Sequence, residues 1–148
     1  DSIRKTAGAL EGVAAKKDIH FDLELSDTEP LWVSGDKDKI QQVLHNLMDN
    51  AVKFSHEGSS ILISTREKGN RVFVSVKDSG IGIPKDDLGK IFERFYKTDL
   101  SRGKDKLGTG LGLSICKEII TAHKQNLDVV STEGVGSEFV FTLTKETE

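Results

Sequence analysis

The sequence predicts an α+β fold: a two-layer α/β sandwich, with a mixed, mostly antiparallel sheet of about five strands and helices packed on one face. Three observations lead there. Residues 36–54 and 113–122 carry apolar side chains at helical spacing. Residues 61–68 and 71–77 alternate in character and are joined by Gly69-Asn70, a hairpin signal. Two further alternating stretches close the chain around a Gly134/Gly136 turn. With 148 residues, no repeat and no internal linker, residues 1–148 are expected to form one domain around one core.

In order, residues 2–17 place Ile3, Ala7, Leu10 and Ala14 on one helix face. His20 to Leu25 alternates like a half-buried strand, and Trp32-Val33 is a short extended piece. Asp36 is the expected N-cap of the next helix, with Asp38 favouring its dipole. That helix runs to about Phe54, with Ile40, Val43, Leu44, Leu47, Met48 and Ala51 as its stripe. Glu57-Gly58 turns the chain into the hairpin. Lys85 to Phe92 is expected to be a short helix after Pro84. Residues 96–107 are polar and without period, and read as a mobile loop. Leu113 to Ala122 is the last helix; Leu127 to Ser131 and Glu138 to Thr144 are the closing strands.

Composition narrows the function. Hydrophobic residues make up 36% and charged residues 30%, with a formal net charge of −3, which gives no reason to expect a nucleic-acid partner. Cys116 is the lone cysteine, so neither a disulfide framework nor a cysteine metal cluster is available, which fits a reducing compartment. No apolar run approaches the ~18 to 20 residues of a membrane span. The chain starts at Asp1, which reads as an excised piece, with any sensing or targeting segment expected outside it.

Four stretches carry chemistry. On the 36–54 helix, at ~100° per residue, Asn46, Asn50 and Lys53 cluster on the edge of the apolar stripe. Carboxamide oxygens suit Mg²⁺, and a nearby lysine suits a phosphate; alone, the trio also fits an ordinary polar helix face. DSGIGIP, residues 78–84, follows a strand. Its Asp78 can accept a hydrogen bond from an exocyclic amine, while Gly80 and Gly82 let backbone pass close to a flat ring; a glycine-rich strand-to-helix turn is the plainer alternative. IFERFYK, residues 91–97, sets Phe92, Phe95 and Tyr96 beside a loop in which Lys97, Arg102, Lys104 and Lys106 outnumber Asp99 and Asp105. That loop suits a lid over phosphates, or a solvated loop behind a core anchor. GTGLGL, residues 108–113, precedes a helix and can offer amides to an anion. It is neither GxGxxG nor GxxxxGK[ST], and it also fits a hinge.

Their order is more telling than any one of them. Asn-x-x-x-Asn on a helix, then DxGxG, then FxxF, then GxGxG resembles the ATP-binding catalytic domain of sensor histidine kinases. In that family's terms these are the N box (NLMDNAVKFS), the G1 box (DSGIGIP), the F box (FERF) and the G2 box (GTGLGL). The resemblance covers essentially the whole chain, including DKDKIQQVLHNL and EGVGSEFVF. It implies the Bergerat ATP-binding fold shared with DNA gyrase, heat-shock chaperone ATPases and mismatch-repair ATPases.

The resemblance implies ATP and Mg²⁺ as cofactors and a role for each residue. Asp78 would bond the adenine amino group, over Gly80, Gly82 and Ile83. Asn50 would ligate Mg²⁺, with Asn46 facing the same metal and phosphates. Lys53 would bind a phosphate, and Lys97 would reach the γ-phosphate from the lid, beside Tyr96. Gly108, Thr109, Gly110, Leu111 and Gly112 would give their amides to the phosphates. Hydrolysing relatives carry a glutamate base where Asn46 stands; an amide cannot take a proton from water at neutral pH, so ATP would be held without rapid hydrolysis. The nucleophile would be a histidine on a separate helical hairpin. None of His20, His45, His56 and His123 lies in such a stretch.

Expected, then, is the catalytic half of a protein-histidine kinase in two-component signal transduction, unable to autophosphorylate alone. Its phosphoacceptor and dimerisation domain, its sensor and its downstream response regulator would lie elsewhere. The fragment would be a monomer, and a cytoplasmic part of a membrane-bound sensor kinase. An anti-sigma-type serine kinase or a non-kinase ATP switch uses the same fold. Two departures stand out. Lys97 replaces the more usual Arg and loses a bidentate fork. His123-Lys124-Gln125-Asn126 replaces His-Gly-Gly, and Asn126 is expected to take the left-handed cap position.

Overall fold

The computed structural model describes residues 2–25, 33–34, 36–83, 85–92 and 112–145. Helix α1 spans Ser2–Lys16, strand β1 His20–Glu24, strand β2 Val33–Ser34 and helix α2 Lys37–Phe54. Strands β3, Ser60–Lys68, and β4, Arg71–Asp78, form the expected hairpin. Helix α3 spans Gly112–Ala122, followed by β5, Leu127–Thr132, and β6, Gly136–Lys145.

The sheet runs β1-β3-β4-β6, and β5 and β2 share the far edge of β6. Its six strands therefore occupy five positions across. Only β1 with β3 is parallel; the other pairings are antiparallel. The mixed, mostly antiparallel two-layer sandwich read from the sequence is the observed fold.

Period-two alternation decides which face is covered. Ile61 and Ile63 of β3, Val72, Val74 and Val76 of β4, and Phe139, Phe141 and Leu143 of β6 all point into the core. They meet Val43, Leu44, Leu47, Met48 and Ala51 of α2 and Cys116, Ile119 and Ile120 of α3. Leu10 and Ala14 bring α1 onto the same core. The opposite face carries polar contacts, such as Ser75 Oγ donating to Glu138 Oε2 at 2.6 Å, and the Arg66 guanidinium over the Phe73 ring.

Helix ends follow local chemistry. Asp36 caps α2, its Oδ1 accepting from the amides of Asp38 at 3.0 Å and Lys39 at 3.1 Å. The Asp36 amide in turn donates to His123 Nε2 at 3.0 Å, while His123 Nδ1 lies 2.8 Å from the Ile119 carbonyl. That pairing puts the ring proton on Nδ1 and ties the end of α3 to the start of α2.

Two expectations change. The stretch 85–92 is not a helix: a 3₁₀ turn covers Lys85–Asp87, and turns continue to Phe92. Gly89 sits mid-segment, at a cost of about 1 kcal/mol to a helix, and eight residues cannot offset helix nucleation. Side chains anchor the segment instead: Ile91 is buried, and Phe92 meets Phe139 edge-on with ring centroids 6.3 Å apart.

The left-handed residue after α3 is Lys124, with φ 59°, and not Asn126. Gln125 N donates to Ile120 O at 3.0 Å and Lys124 N to Thr121 O at 2.9 Å, which is the Schellman pattern. Asn126 is already engaged with β6: its amide donates to Thr142 Oγ1 at 3.2 Å, and its carbonyl accepts from Thr142 N at 3.1 Å. The same end pattern closes α1, with Asp18 at φ 55°.

Candidate functional site

Asp78 is the last residue of β4 and shares the parity of Val72, Val74 and Val76. Its carboxylate therefore turns into the space between sheet and helices, where it is buried. Oδ1 accepts from the amides of Gly80 at 2.9 Å and Ser137 at 3.3 Å. Among the described residues both bonds end on Oδ1, which leaves Oδ2 for an incoming donor. Burial raises the Asp78 pKa above its ordinary value; the amides of Gly80 and Ser137, and then the nearby His56, oppose the rise.

The loop after Asp78 is locked by the chain itself. Ile81 N donates to Phe54 O, the last carbonyl of α2, at 3.1 Å. Gly134 N donates to Ile81 O at 2.7 Å, and Ile83 N donates to Ser131 Oγ at 2.8 Å. A Cβ on Gly80 would lie 2.0 Å from Phe54 O. Gly82 has φ +72°, and a Cβ there would lie 2.2 Å from Thr132 O. Both glycines thus have an internal reason besides any ligand: they let the loop thread between the end of α2 and the β5–β6 hairpin.

Asn46, Asn50 and Lys53 form a half-buried edge of α2, as the helical spacing requires. Asp49 belongs with them. Its Oδ2 lies 3.2 Å from Lys53 Nζ, an i,i+4 pair in the favourable order. The Asn46 carboxamide reaches across to α3 and hydrogen-bonds Cys116. Burial pushes the Cys116 thiol up to about 12, and the Asn46 contact opposes that rise. The Cys116 thiol also points at Val43 O, 3.8 Å away.

Asp49, Ser131, Ser137 and Cys116 were not singled out by the sequence. The i,i+4 spacing could have found Asp49; the others meet the site only through long-range folding. Tyr96, Lys97, Gly108, Thr109, Gly110 and Leu111 lie outside the described residues, and Gly112 opens α3. A separate groove of about 450 Å³ lies along α3, lined by Phe92, Ser114, Lys117, Glu118, Thr121 and Ala122. None of the expected nucleotide residues lines it.

Among the described residues no group of three or more His, Cys, Asp or Glu side chains could hold a metal ion. A divalent cation here would need Asn oxygens completed by oxygens of a ligand and water, which is how Mg²⁺ is usually held with nucleotides. The donor set on α2 fits that cation.

Residues 35–147 match the family described as histidine kinase-, DNA gyrase B-, and HSP90-like ATPase. The sensor histidine kinase WalK of Bacillus subtilis (strain 168) is 45% identical over 127 residues, 84% of this chain and 21% of that protein. The chain thus spans about a fifth of the length of such relatives. The catalytic domain of histidine kinase ThkA superposes with a TM-score of 0.83 at 36% identity, covering 97% of this chain and 92% of that one. ThkA solved in complex with the response regulator TrrA gives 0.80 at 34% identity, covering 98% and 40%. Full-length ShkA in complex with AMPPNP gives 0.85 at 30% identity, covering 99% and 30%.

Proposed function

Because the chain belongs to the histidine kinase-, DNA gyrase B-, and HSP90-like ATPase family, we propose that it binds Mg-ATP and presents the γ-phosphate to a histidine on a separate dimerisation domain. The observation that carries this is Asp78: a buried carboxylate with one oxygen fixed by two amides and the other left for a donor such as the adenine amine. Asn50 holds the cation, with Asn46 beside it. Lys53 takes a phosphate oxygen, and Lys97 and the amides of residues 108–112 close over the remainder. Mg²⁺ would supply charge neutralisation along the polyphosphate.

Asn46 argues for holding ATP rather than hydrolysing it. A carboxamide has no basic lone pair to take a proton from water at neutral pH, and this one is bonded to Cys116. That disfavours a fast ATP-hydrolysing switch. The similarity to WalK and ThkA favours histidine over serine as acceptor. The partners that follow are the phosphoacceptor domain of the same protein, which would make the homodimer, and a response regulator, as ThkA has in TrrA. This piece alone would be a monomer. It would be a cytoplasmic part of a membrane-bound sensor; among the described residues no helix is long and apolar enough to cross a membrane.

The test is phosphotransfer. The full-length protein incubated with γ-labelled ATP and Mg²⁺ should acquire acid-labile, base-stable label on histidine, and Asn50→Ala should abolish it. Acid-stable label on serine would point to the anti-sigma-type kinase instead. Steady release of phosphate without labelled protein would point to the ATP switch.

A further inference from the structure

A helix leaves its last four carbonyls without helical partners. In α2 each of them has one. Ser55 Oγ donates to Ala51 O at 2.6 Å, and Ile81 N donates to Phe54 O at 3.1 Å. The two between are both served by one side chain: Lys17 Nζ donates to Val52 O at 2.8 Å and to Lys53 O at 3.1 Å.

Lys17 lies directly after α1 and belongs to none of the four motifs. Its own carbonyl accepts from Gly58 N at 3.0 Å, so it grips the turn that follows α2 as well. An ammonium at a helix C-terminus also complements the negative end of the dipole. The turn it holds carries Asn50 and Lys53 on one side. On the other, Phe54 O anchors the loop behind Asp78. Both halves of the site therefore lean on one turn, and that turn is closed by a residue 35 positions upstream of Val52.

We propose that Lys17 is a positioning residue of the nucleotide site: by capping the end of α2 it sets where Asn50, Lys53 and Ile81 stand. The proposal rests on the nucleotide-binding reading above. It assigns α1 a part in the site, although α1 carries none of the residues expected to touch nucleotide. Replacing the ammonium by an apolar chain leaves two carbonyls unserved at the point where the adenine loop and the phosphate lysine meet.

The experiment is a calorimetric titration of Mg-ADP into the wild-type domain, Lys17→Met, Lys17→Arg and Thr6→Val, each paired with a thermal melt. Thr6 is buried at the other end of the α1–α2 contact, where Gln41 Nε2 donates to its hydroxyl. Thr6→Val lowers stability without touching the last turn, so it separates stability from positioning.

The expected result is that Lys17→Met weakens Mg-ADP binding about tenfold in a folded protein, in line with the sensitivity of sites to small displacements. Lys17→Arg should restore most of the affinity, and Thr6→Val should lower the melting temperature with affinity unchanged. Should Lys17→Met be too unstable to titrate, Lys17→Gln, which keeps a donor but loses charge and reach, gives the same readout. Wild-type affinity in the Lys17 variants would overturn the proposal, as would an equal loss in Thr6→Val. Failure of the wild type itself to bind nucleotide would overturn the nucleotide reading, and this inference with it.

Discussion

The amide of Ser137 donates to Asp78 Oδ1 at 3.3 Å, across the register pair that ends the β4–β6 ladder. The bond joins the first residue of the adenine loop to the closing hairpin. It also lets a buried carboxylate persist: two amide donors offset part of the cost of holding charge away from water.

That offset is incomplete, because burial still raises the Asp78 pKa. A carboxyl whose folded-state pKa lies above its unfolded value binds more protons when folded. Stability is then lost as pH rises from the ordinary value near 3.8 through the raised one. Asp78→Asn keeps an acceptor for both amides without the charge. It should melt higher than wild type at neutral pH, with the gain shrinking in acid, and it should bind adenine nucleotide far more weakly. Melts across pH check the first part and calorimetry the second.

Gly80→Ala should be severe. Its methyl would lie 2.0 Å from the Phe54 carbonyl oxygen, which cannot move without unseating the end of α2. A loss of about 2 kcal/mol or more is expected in chemical denaturation, together with loss of nucleotide binding. Gly89→Ala is the control: nothing lies within 4 Å of a Cβ there, so it should be neutral or mildly stabilising.

Lys124 occupies a left-handed position that costs an L-residue about 1 kcal/mol. Lys124→Gly should recover most of that and raise the denaturation midpoint, leaving nucleotide affinity unchanged. A loss of stability would mean that the Lys124 side chain contributes more than its backbone strain costs.

Asp49 holds Lys53 at 3.2 Å in a pair that is part exposed on both sides. Such pairs contribute under about 1 kcal/mol, so Asp49→Asn should barely move the melting temperature. It should, however, free the lysine and remove a negative charge from beside the polyphosphate. ADP binding without Mg²⁺ should tighten roughly threefold, and the effect should fade in high salt. Titrations of ADP with and without salt measure this.

Much of the fold was legible because its signals are local. The Asp36 cap, the stripe of α2 and the Gly69-Asn70 turn each lie within a few residues of what they determine. The stretch 85–92 misled because Leu88, Ile91 and Phe92 have helical spacing while Gly89 undoes it. Asn126 misled because its own type suits a left-handed turn, whereas Thr142 on β6 claims its backbone. In the site, residue types marked Asp78 and the α2 edge. The reason for Gly80 and Gly82 was hidden, since a glycine that admits a ligand looks the same as one that admits another strand of the chain. Ser131 and Lys17 were silent because their partners are brought to them only by the sheet and by the α1–α2 packing.

The measurement that bears most directly on the central claim is calorimetric titration of ADP with Mg²⁺ into the folded domain, repeated with GDP and with Asp78→Ala. The account predicts binding that prefers adenine over guanine and is abolished in a folded Asp78→Ala protein. A folded wild type that binds neither nucleotide, or an Asp78→Ala variant that binds ADP as well as wild type, would contradict it.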